Sequence, residues 1–425
     1  MDQLAEICII HFVISIVSNY VVGLDIGTHT IKAAIGELRR DGQLTLLRMF
    51  KMPSAGLRRG VVSDVAEAAQ RVGSVLGEIR KFSRDAVQNI FLGVGSPDLK
   101  IQSSVGVVAV SRADYEIYQD DIQRAIQSSQ AMSLPPNRMV LHSLIREFVV
   151  DGVKDIRDPL GMVGNRLEVQ SLIIDDFAPA VRNITRCVEI LGGNLGGLIL
   201  SPLAAARSTL TKNQRELGVV FVDIGLGKTG ICVYEEGKLL HTAIFPIGSG
   251  HITSDLAIGL KIPIEAAEVV KLSFGSALPR EIGGRESIEL SKIDPRLRGS
   301  VARRFIAEII EVRLAEIFEF VNTELRYVGK ASRLPAGVVL VGGGAKLPGI
   351  VDVARQELKL SAQVGIPDLS PLTVGSGELG LQAEDPEFAC AVGLLEWGRD
   401  TATESRVPRV RIAEAVRRLW HTFIP

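Results

Sequence analysis

The sequence predicts an α/β fold of two lobes that are built on one plan. The segment VVGLDIG, which begins at Val21, returns 198 residues later as VVFVDIG at Val219. Each copy is an apolar strand that ends in Asp-Ile-Gly and is followed by a polar turn, a second strand, a hairpin that contains glycine, and a third strand. Two copies of the same series of elements indicate a duplicated architecture, with one copy in each lobe.

The bulk composition is that of a globular protein and excludes one class of partner. Hydrophobic residues make up 46% of the 425 residues, charged residues 23%, and the net charge is -1. Because the chain as a whole carries no basic excess, we expect no nucleic acid partner. The cysteines lack the spacing of a zinc site or a disulfide framework, so we expect small buried side chains in a reducing cytosol. They are Cys8, Cys187, Cys232 and Cys390.

The two Asp-Ile-Gly turns are candidate phosphate-binding loops. Gly27, Gly225 and Gly227 leave backbone amides open to an anion, because no side chain stands in the way. Asp25 and Asp223, at the ends of the two strands, would repel a phosphate unless a cation lay between them. We therefore expect both carboxylates to hold Mg²⁺, partly through water molecules.

Two better-known phosphate loops do not fit the second turn. The string GLGKT, from Gly225 to Thr229, resembles part of a Walker A loop, but that motif requires glycine at position 222, where Val222 stands. A dinucleotide-binding turn places its phosphate at a helix N-terminus, whereas a strand follows each Asp-Ile-Gly. A third element, VVLVGGGAKLPGI from Val338 to Ile350, is a buried-type strand that runs into three glycines and suits close approach to a ribose and an α-phosphate.

With these motifs in this order, the sequence resembles the actin, DnaK-type chaperone and sugar-kinase superfamily. Within it, the chain is similar to the FtsA family of bacterial cell-division proteins over residues 20–425. Several separate segments carry the resemblance, namely GLDIGTHTIKAAIGE from Gly23, RGVVSD from Arg59, DPLGMVGNRLEVQ from Asp158, RELGVVFVDIG from Arg215 and HTAIFPIGSGHITSDLA from His241. The resemblance implies an actin-like two-lobed fold with ATP and Mg²⁺ bound between the lobes.

The resemblance also implies which residues contact the nucleotide. Glu268 and Lys271 match positions that contact the base and ribose, although alone they are typical of an exposed i,i+3 helix pair. The remaining matched positions are Asp25, Gly27, Thr28 and Thr30 in the first turn, Asp223, Gly225 and Gly227 in the second, and Gly343 and Gly344 beside the adenosine.

The second turn departs from the family pattern. Relatives usually read DIGGGTxD, whereas this chain reads DIGLGKTG, with Leu226, Lys228 and Gly230 at the changed positions. The amine of Lys228 can pair with a γ-phosphate, and no residue is recognisable as a general base. We therefore predict an ATP-binding switch with slow or absent hydrolysis and assign no catalytic residue.

The resemblance implies two inserted subdomains. The first, called 1C, fits 101–174, and the second, called 2B, fits 250–319, which we expect to be helical. In the family, 2B receives the acidic C-terminal peptide of FtsZ; Arg303 and Arg304 are candidate contacts, or else part of a solvated helix face. The other predicted segments are an N-terminal extension at 1–19, first-lobe segments at 20–100 and 175–216, second-lobe segments at 217–249 and 320–397, and a linker at 398–408.

The last segment, 409–425, has the pattern of an amphipathic membrane-binding helix. Its apolar side chains recur at helical spacing on one stripe, and arginines flank that stripe. The alternative is a terminal helix that docks on its own domain, but a polar linker and this many arginines favour anionic lipid. The candidate membrane-binding residues are Arg411, Ile412, Val416, Arg417, Arg418, Leu419, Trp420, Phe423 and Ile424.

Together with this terminal segment, the resemblance implies a cell-division protein that polymerises on the cytoplasmic face of the inner membrane at the septum and tethers FtsZ to it. A single helix of this kind binds weakly, so many linked copies are needed for firm attachment. The expected partners are FtsZ, other copies of the chain, further division proteins and anionic lipids. Two alternatives remain open at this stage: an actin-like scaffold of a pilus or secretion machine, similar to PilM, and a sugar-kinase-like phosphotransferase.

Overall fold

The computed structural model describes residues 18–402 of the chain. The first lobe opens with a meander of three strands, and a long helix then covers one face of the sheet. That helix begins where the Asp64 carboxylate accepts a hydrogen bond from the Glu67 amide at 3.0 Å. The elements are β1 (Tyr20–Ile26), β2 (Thr30–Leu38), β3 (Leu44–Pro53), β4 (Leu57–Arg58), β5 (Val61–Val62), α1 (Val65–Phe82) and β6 (Ile90–Val94).

A small α/β subdomain is inserted after β6. Its four-stranded sheet has the order β7-β10-β8-β9, and α2 packs Ile122, Ala125 and Ile126 against the sheet to form a separate apolar cluster. The predicted 1C limits of 101–174 fall one residue inside the first strand and three inside the last. The elements are β7 (Lys100–Ala109), α2 (Gln119–Gln130), β8 (Arg138–Val150), β9 (Val153–Ile156) and β10 (Arg166–Phe177).

The chain then completes most of the first lobe and enters the second. The return consists of α3 (Ala178–Glu189), β11 (Leu195–Leu200), α4 (Ser201–Thr209) and α5 (Lys212–Leu217). The second lobe contains β12 (Val219–Ile224), β13 (Thr229–Glu235), β14 (Lys238–Phe245), α6 (Ser249–Leu260), α7 (Ile264–Phe274), β15 (Ser287–Glu289), β16 (Ser300–Ala302), α8 (Arg303–Tyr327), β17 (Val338–Val341), α9 (Ile350–Leu358) and β18 (Ala362–Val364).

The second lobe differs in two ways from the predicted 2B segment. Residues 250–319 are mostly helical, but they also contain the two-stranded ribbon of β15 and β16. These strands have three residues each, too few for an alternating pattern to show in the sequence. In addition, α8 continues through residue 319 to Tyr327, because one buried stripe from Ile306 to Leu325 runs along its whole length.

The last described segment belongs to the first lobe, whereas residues 320–397 were predicted to complete the second. It contains β19 (Leu372–Val374), α10 (Gly377–Ala383) and a helix over 389–402, which we call α11. Strand β19 pairs in parallel with β3, at the open edge of the first sheet. The apolar side chains of α11, including Leu394 and Leu395, are buried in the first lobe's core. No local pattern shows which sheet edge a three-residue strand will join.

Residues 398–402, predicted as the start of a linker, form the end of α11. Ala402 is buried, and Gly398 is small because its position faces β1 rather than solvent. A Cβ atom at Gly398 would lie 2.3 Å from Val21 Cγ1. Small side chains in this stretch therefore reflect close packing.

Five strands of each sheet show the same topology in both lobes, and β19 is an additional edge strand of the first sheet. The first has the order β11-β6-β1-β2-β3-β19 and the second β14-β13-β12-β17-β18, so each opening strand lies between an antiparallel partner and a parallel one. Asp25 is in register with Lys32 on β2 and Gly93 on β6. Asp223 is in register with Gly230 on β13 and Val341 on β17. The duplication places the two Asp-Ile-Gly turns at equivalent strand ends.

Candidate functional site

A cavity of about 370 Å³ lies between the lobes, at the ends of β1 and β12. All twelve residues predicted to contact the nucleotide line it. They come from both Asp-Ile-Gly turns, from α7 and from the glycines after β17. The fold thus gathers residues that are more than 300 positions apart in the sequence, such as Asp25 and Gly344, around one space.

The two turns share the same internal hydrogen bond. The Gly27 amide donates to the Thr30 carbonyl at 3.1 Å, and the Gly225 amide donates to the Lys228 carbonyl at 2.9 Å. The turns also touch each other, since a Cβ atom at Gly227 would lie 2.9 Å from Thr28 Oγ1. A side chain at position 227 has no room there, and the two concave backbones face the same cavity.

Two carboxylates and one lysine form the charged centre of the cleft. Lys32 Nζ lies 3.3 Å from Asp25 Oδ2, and both side chains are mostly buried. Burial, together with the negative charge of Asp25, raises the pKa of Asp223 to about 6, although Lys32 and Lys228 act in the opposite direction. Burial therefore disfavours the charged form of Asp223, and a cation bound beside it would stabilise that form.

The donor set fits Mg²⁺ held by two carboxylates. Within residues 18–402, no group of three or more His, Cys, Asp or Glu side chains could hold a metal ion. Asp25 and Asp223 alone do not make a complete cage. Mg²⁺ commonly keeps several waters and binds one or two carboxylates plus phosphate oxygens, so this set suits an ion that arrives with a nucleotide.

Glu268 and Lys271 lie on the part of α7 that faces the cavity. Lys271 is only 6% exposed, so the alternative of an exposed helix pair is wrong for this residue. Its Nζ donates to Glu268 Oε2 at 2.7 Å and to Thr253 Oγ1 at 2.8 Å. Hydrogen bonds from Lys271 and Thr253 hold the pKa of Glu268 below its usual value despite burial. The carboxylate is therefore a fixed acceptor beside the cavity.

The glycines after β17 bring backbone close to the second turn. A Cβ atom at Gly344 would lie 2.4 Å from Ile224 Cγ2, and one at Gly342, whose φ is +83°, would lie 2.4 Å from Asp223 Oδ1. Only glycine fits these positions without displacement of the turn. Leu272 and Leu347 also line the cavity and add apolar surface to its wall.

The comparisons with known proteins point to one family. A family model described as "Cell division protein FtsA" matches residues 220–393, and a second, "SHS2 domain inserted in FTSA", matches residues 97–175. The cell division protein FtsA of Pseudomonas aeruginosa is 35% identical over 379 residues, which cover 89% of each chain. FtsA of Bacillus subtilis is 34% identical over 376 residues, which cover 88% of this chain and 82% of the relative.

The chain belongs to the FtsA family of cell-division proteins. Solved structures agree on the fold. A PilM-PilN type IV pilus biogenesis complex contains a chain with TM-score 0.62 and 18% identity, and the match covers 89% of this chain and 98% of that one. MreB5 of Spiroplasma citri bound to ADP gives TM-score 0.52 and 12% identity, with coverage of 91% and 98%. The predicted actin-like fold with its 1C insertion is confirmed.

The departures of this FtsA-family chain in the second turn have a structural explanation at two positions. Gly230 packs against α4, and a Cβ atom there would lie 2.4 Å from Pro202 Cγ. A carboxylate at position 230 therefore has no room. Lys228 lines the cavity, and its Nζ donates to the Gly95 carbonyl of the first lobe at 2.7 Å. The amine thus already has an acceptor across the cleft.

Sequence reasoning missed a second group of charges at the cavity wall. Glu387, just before α11, lies 2.5 Å from Lys51 Nζ and 3.1 Å from Lys346 Nζ. These residues come from β3, the turn after β17 and the last segment, so no local motif joins them. Lys32 was also missed, yet its position opposite Asp25 in the β1–β2 hairpin could have revealed it.

The remaining predictions for the FtsA-family chain concern regions away from the cleft. Arg303 and Arg304 stand at the start of α8, where Arg303 pairs with Glu286 at 2.8 Å and Arg304 with Glu308 at 3.3 Å. Their role in partner binding stays a prediction. The residues predicted to bind membrane, from Arg411 to Ile424, and most of the predicted N-terminal extension lie outside the described residues.

Two further observations bear on the sequence predictions. No helix among residues 18–402 combines the length and the apolar character needed to cross a membrane. Cys187, Cys232 and Cys390 are buried, as predicted. Burial raises the pKa of the Cys232 thiol to about 12, which suits an inert side chain.

Proposed function

We propose that this chain binds ATP and Mg²⁺ in the interlobe cleft and uses the nucleotide as a conformational ligand. The observation that carries the proposal is the pair of turns with matched Gly27–Thr30 and Gly225–Lys228 hydrogen bonds, which face one cavity. Two glycine-containing concave backbones at the ends of equivalent strands suit a chain of phosphates between the lobes. A ligand that contacts both lobes favours the closed arrangement by its differential affinity.

The predicted residues fall into three groups in this proposal, which contact the phosphates, the Mg²⁺ and the nucleoside. The amides of the two turns donate to phosphate oxygens, and Thr28 and Thr30 flank the first turn. Asp25 and Asp223 hold the Mg²⁺, which supplies positive charge between carboxylate and phosphate. Glu268 accepts hydrogen bonds from the ribose, while Gly343 and Gly344 allow the nucleoside to approach the backbone.

We propose that hydrolysis is slow or absent. The site offers no carboxylate at position 230, where Pro202 occupies the space, and Lys228 places a cation rather than a base in the second turn. A cation near the terminal phosphate strengthens binding of the ground state, and such uniform binding does not by itself raise the rate of a chemical step.

The nucleotide-bound protein is proposed to polymerise on the cytoplasmic face of the inner membrane and to tether the FtsZ ring there. Membership in a family of cell-division proteins supports this role, and so does the sequence pattern of residues 409–425. Subdomain 2B would receive the FtsZ peptide, with Arg303 and Arg304 as candidate contacts. Polymer formation would multiply a weak lipid contact into firm attachment.

Calorimetric titration of the full-length protein with ATP and with ADP, each in Mg²⁺ and in EDTA, tests the cleft. We expect saturable binding of both nucleotides and weaker binding in EDTA. Phosphate release measured on the same sample should be slow beside a metabolic kinase. Absence of saturable binding would refute the nucleotide proposal, and rapid turnover would refute the proposed switch.

Cosedimentation with anionic and with neutral liposomes tests the tether. The intact chain should pellet with anionic vesicles, more so with ATP, and a chain that ends at residue 405 should remain in the supernatant. Equal behaviour of the two chains would exclude the last twenty residues as the attachment.

A further inference from the structure

The inserted subdomain is joined to the first lobe at a buried polar contact. The chain leaves the first lobe after β6, through Gly95 and Ser96, and returns at the end of β10, beside Asp176. The Ser96 amide donates to Asp176 Oδ2 at 2.8 Å, and the Ser96 hydroxyl donates to Asp176 Oδ1 at 2.5 Å. Both residues are at most 1% exposed. We call Gly95, Ser96 and Asp176 the hinge of the subdomain.

Lys228 reaches this hinge from the other lobe. Its Nζ donates to the Gly95 carbonyl at 2.7 Å, so one hydrogen bond joins the second phosphate turn to the base of the insert. Two glycines make the contact possible. A Cβ atom at Gly60 would lie 2.5 Å from Lys228 Cδ, and Gly95 itself has a φ of +136°, which other residues rarely adopt.

The charge of Lys228 acts on both the cleft and the hinge. Burial raises the pKa of Asp223 in the cleft and of Asp176 in the hinge, and Lys228 lowers both. A single ammonium group therefore lies within electrostatic reach of a carboxylate on each side. Because Lys228 also lines the cavity, its ammonium group is accessible to an anion bound there.

We propose that Lys228 exchanges the Gly95 carbonyl for the terminal phosphate of a bound nucleoside triphosphate and so releases the hinge of the inserted subdomain. This inference rests on the proposed nucleotide site. A phosphate oxygen is charged, whereas a peptide carbonyl is neutral, and hydrogen bonds between two charged groups are roughly twice as strong. A diphosphate lacks the terminal group, so Lys228 keeps its bond to Gly95. Lys228 is thus a positioning residue that couples the binding of a triphosphate to the hinge of the inserted subdomain.

Amide hydrogen–deuterium exchange of the full-length protein tests whether a bound triphosphate draws Lys228 away from the Gly95 carbonyl. The readout is the peptide that covers residues 94–99, compared among nucleotide-free protein, Mg²⁺–ADP and Mg²⁺ with a non-hydrolysable ATP analogue. The analogue should speed exchange at Ser96 by about fivefold, the effect of one lost hydrogen bond, and ADP should leave it unchanged. Equal exchange with ADP and the analogue would overturn the proposal.

Lys228→Met supplies the second arm, with Lys292→Met as control because Lys292 is exposed and lies on the 2B surface. Without nucleotide, Lys228→Met should already show the fast hinge, and the analogue should add nothing. Its affinity for the analogue should fall about tenfold while affinity for ADP changes less than about twofold. The control should match the wild type. A hinge unchanged by Lys228→Met, or equal losses for both nucleotides, would contradict the assignment.

The two proposals fail in different ways. If the wild type binds neither nucleotide, the proposed function falls and this inference falls with it. If both nucleotides bind and the hinge does not distinguish them, only this inference falls. Lys228→Thr, whose side chain is too short to reach Gly95, provides a second variant should the methionine disturb folding, and the wild-type comparison requires no variant.

Discussion

Lys32 Nζ lies 3.3 Å from Asp25 Oδ2 in the cleft, and the two residues are directly opposite each other on the paired strands β1 and β2. Burial lowers the pKa of Lys32, but the negative charges of Asp25 and Asp223 outweigh burial and raise that pKa above its usual value. Lys32 therefore offsets part of the negative charge of the two carboxylates. It explains how two acidic side chains can face one buried space.

Replacement of Lys32 by methionine should destabilise the nucleotide-free protein. Removal of one partner leaves the buried Asp25 and Asp223 carboxylates without their nearest cation, at a cost of about 2 to 3 kcal/mol in the free energy of unfolding. Urea denaturation in EDTA measures the change, and added Mg²⁺ and ATP should restore part of it. Lys81→Met, at a side chain that is 75% exposed, is the control and should be neutral. Equal midpoints for both variants would contradict the role given to Lys32.

Asp223→Asn should make the nucleotide-free protein more stable at neutral pH. A folded-state pKa of about 6, above the ordinary value of 3.8 for an aspartic acid, means that burial favours the neutral acid in the folded protein. The stabilising contribution of the acid is therefore present below about pH 4 and is lost as the pH rises through 6. The variant should equal the wild type at pH 4 and exceed it by up to about 2 kcal/mol at pH 7.5 in EDTA.

The same variant should lose the stabilisation that Mg²⁺ and ATP give to the wild type. Thermal denaturation across pH 4 to 8, with and without the ligand, records both effects. A constant difference between Asp223→Asn and wild type at every pH would show that Asp223 is not the titrating group.

Gly344→Val should block nucleotide binding. The added Cβ would lie 2.4 Å from Ile224 Cγ2, so either the second phosphate turn or the Gly344 backbone must move into the cavity. We expect at least a tenfold loss of ATP affinity by calorimetry and a loss of about 1 to 3 kcal/mol in stability from overpacking. Gly284→Ala, at a position with open space around it, should change neither quantity. Wild-type affinity in the valine variant would place the nucleotide elsewhere.

Lys271→Met should weaken ATP and ADP alike. Its ammonium fixes Glu268 through a 2.7 Å hydrogen bond. In the proposed arrangement Glu268 contacts the ribose, which ATP and ADP share. Loss of that support should lower both affinities by about tenfold and leave their ratio unchanged. The ratio separates this variant from Lys228→Met, for which the two affinities should change unequally. A selective loss of ATP binding would mean that the cavity is occupied in the opposite orientation.

Trp420→Glu should release the protein from anionic liposomes and leave ATP binding unchanged. The substitution places a carboxylate in the predicted apolar stripe, where burial of a charge beside lipid is costly. Cosedimentation should show at least a tenfold loss of the bound fraction at limiting lipid. Glu414 falls outside the predicted apolar stripe and is the only acidic residue of 409–425, so Glu414→Gln should bind at least as well as the wild type. Retention of membrane binding by the tryptophan variant would count against the helix.

Much of the cleft could be predicted because its parts are local. A strand that ends in Asp-Ile-Gly and a turn closed by a glycine amide need only a few neighbouring residues, and the repeat shows that the pattern occurs twice. All twelve predicted residues consequently line one cavity. The predicted boundaries were less successful where a few residues pair with a distant edge, as β19 does with β3.

The sequence by itself determined the duplicated α/β plan, the two candidate phosphate turns and the amphipathic pattern after residue 408, because each depends on local periodicity and on glycine positions. Only the tertiary structure decided that α11 returns to the first lobe, that Glu387 joins Lys51 and Lys346, and that Lys228 reaches Gly95. These contacts join segments more than 40 residues apart, and their geometry follows from how two sheets and an inserted subdomain pack together. The same lysine that looked in the sequence like a phosphate ligand is, in the fold, also bound to the hinge.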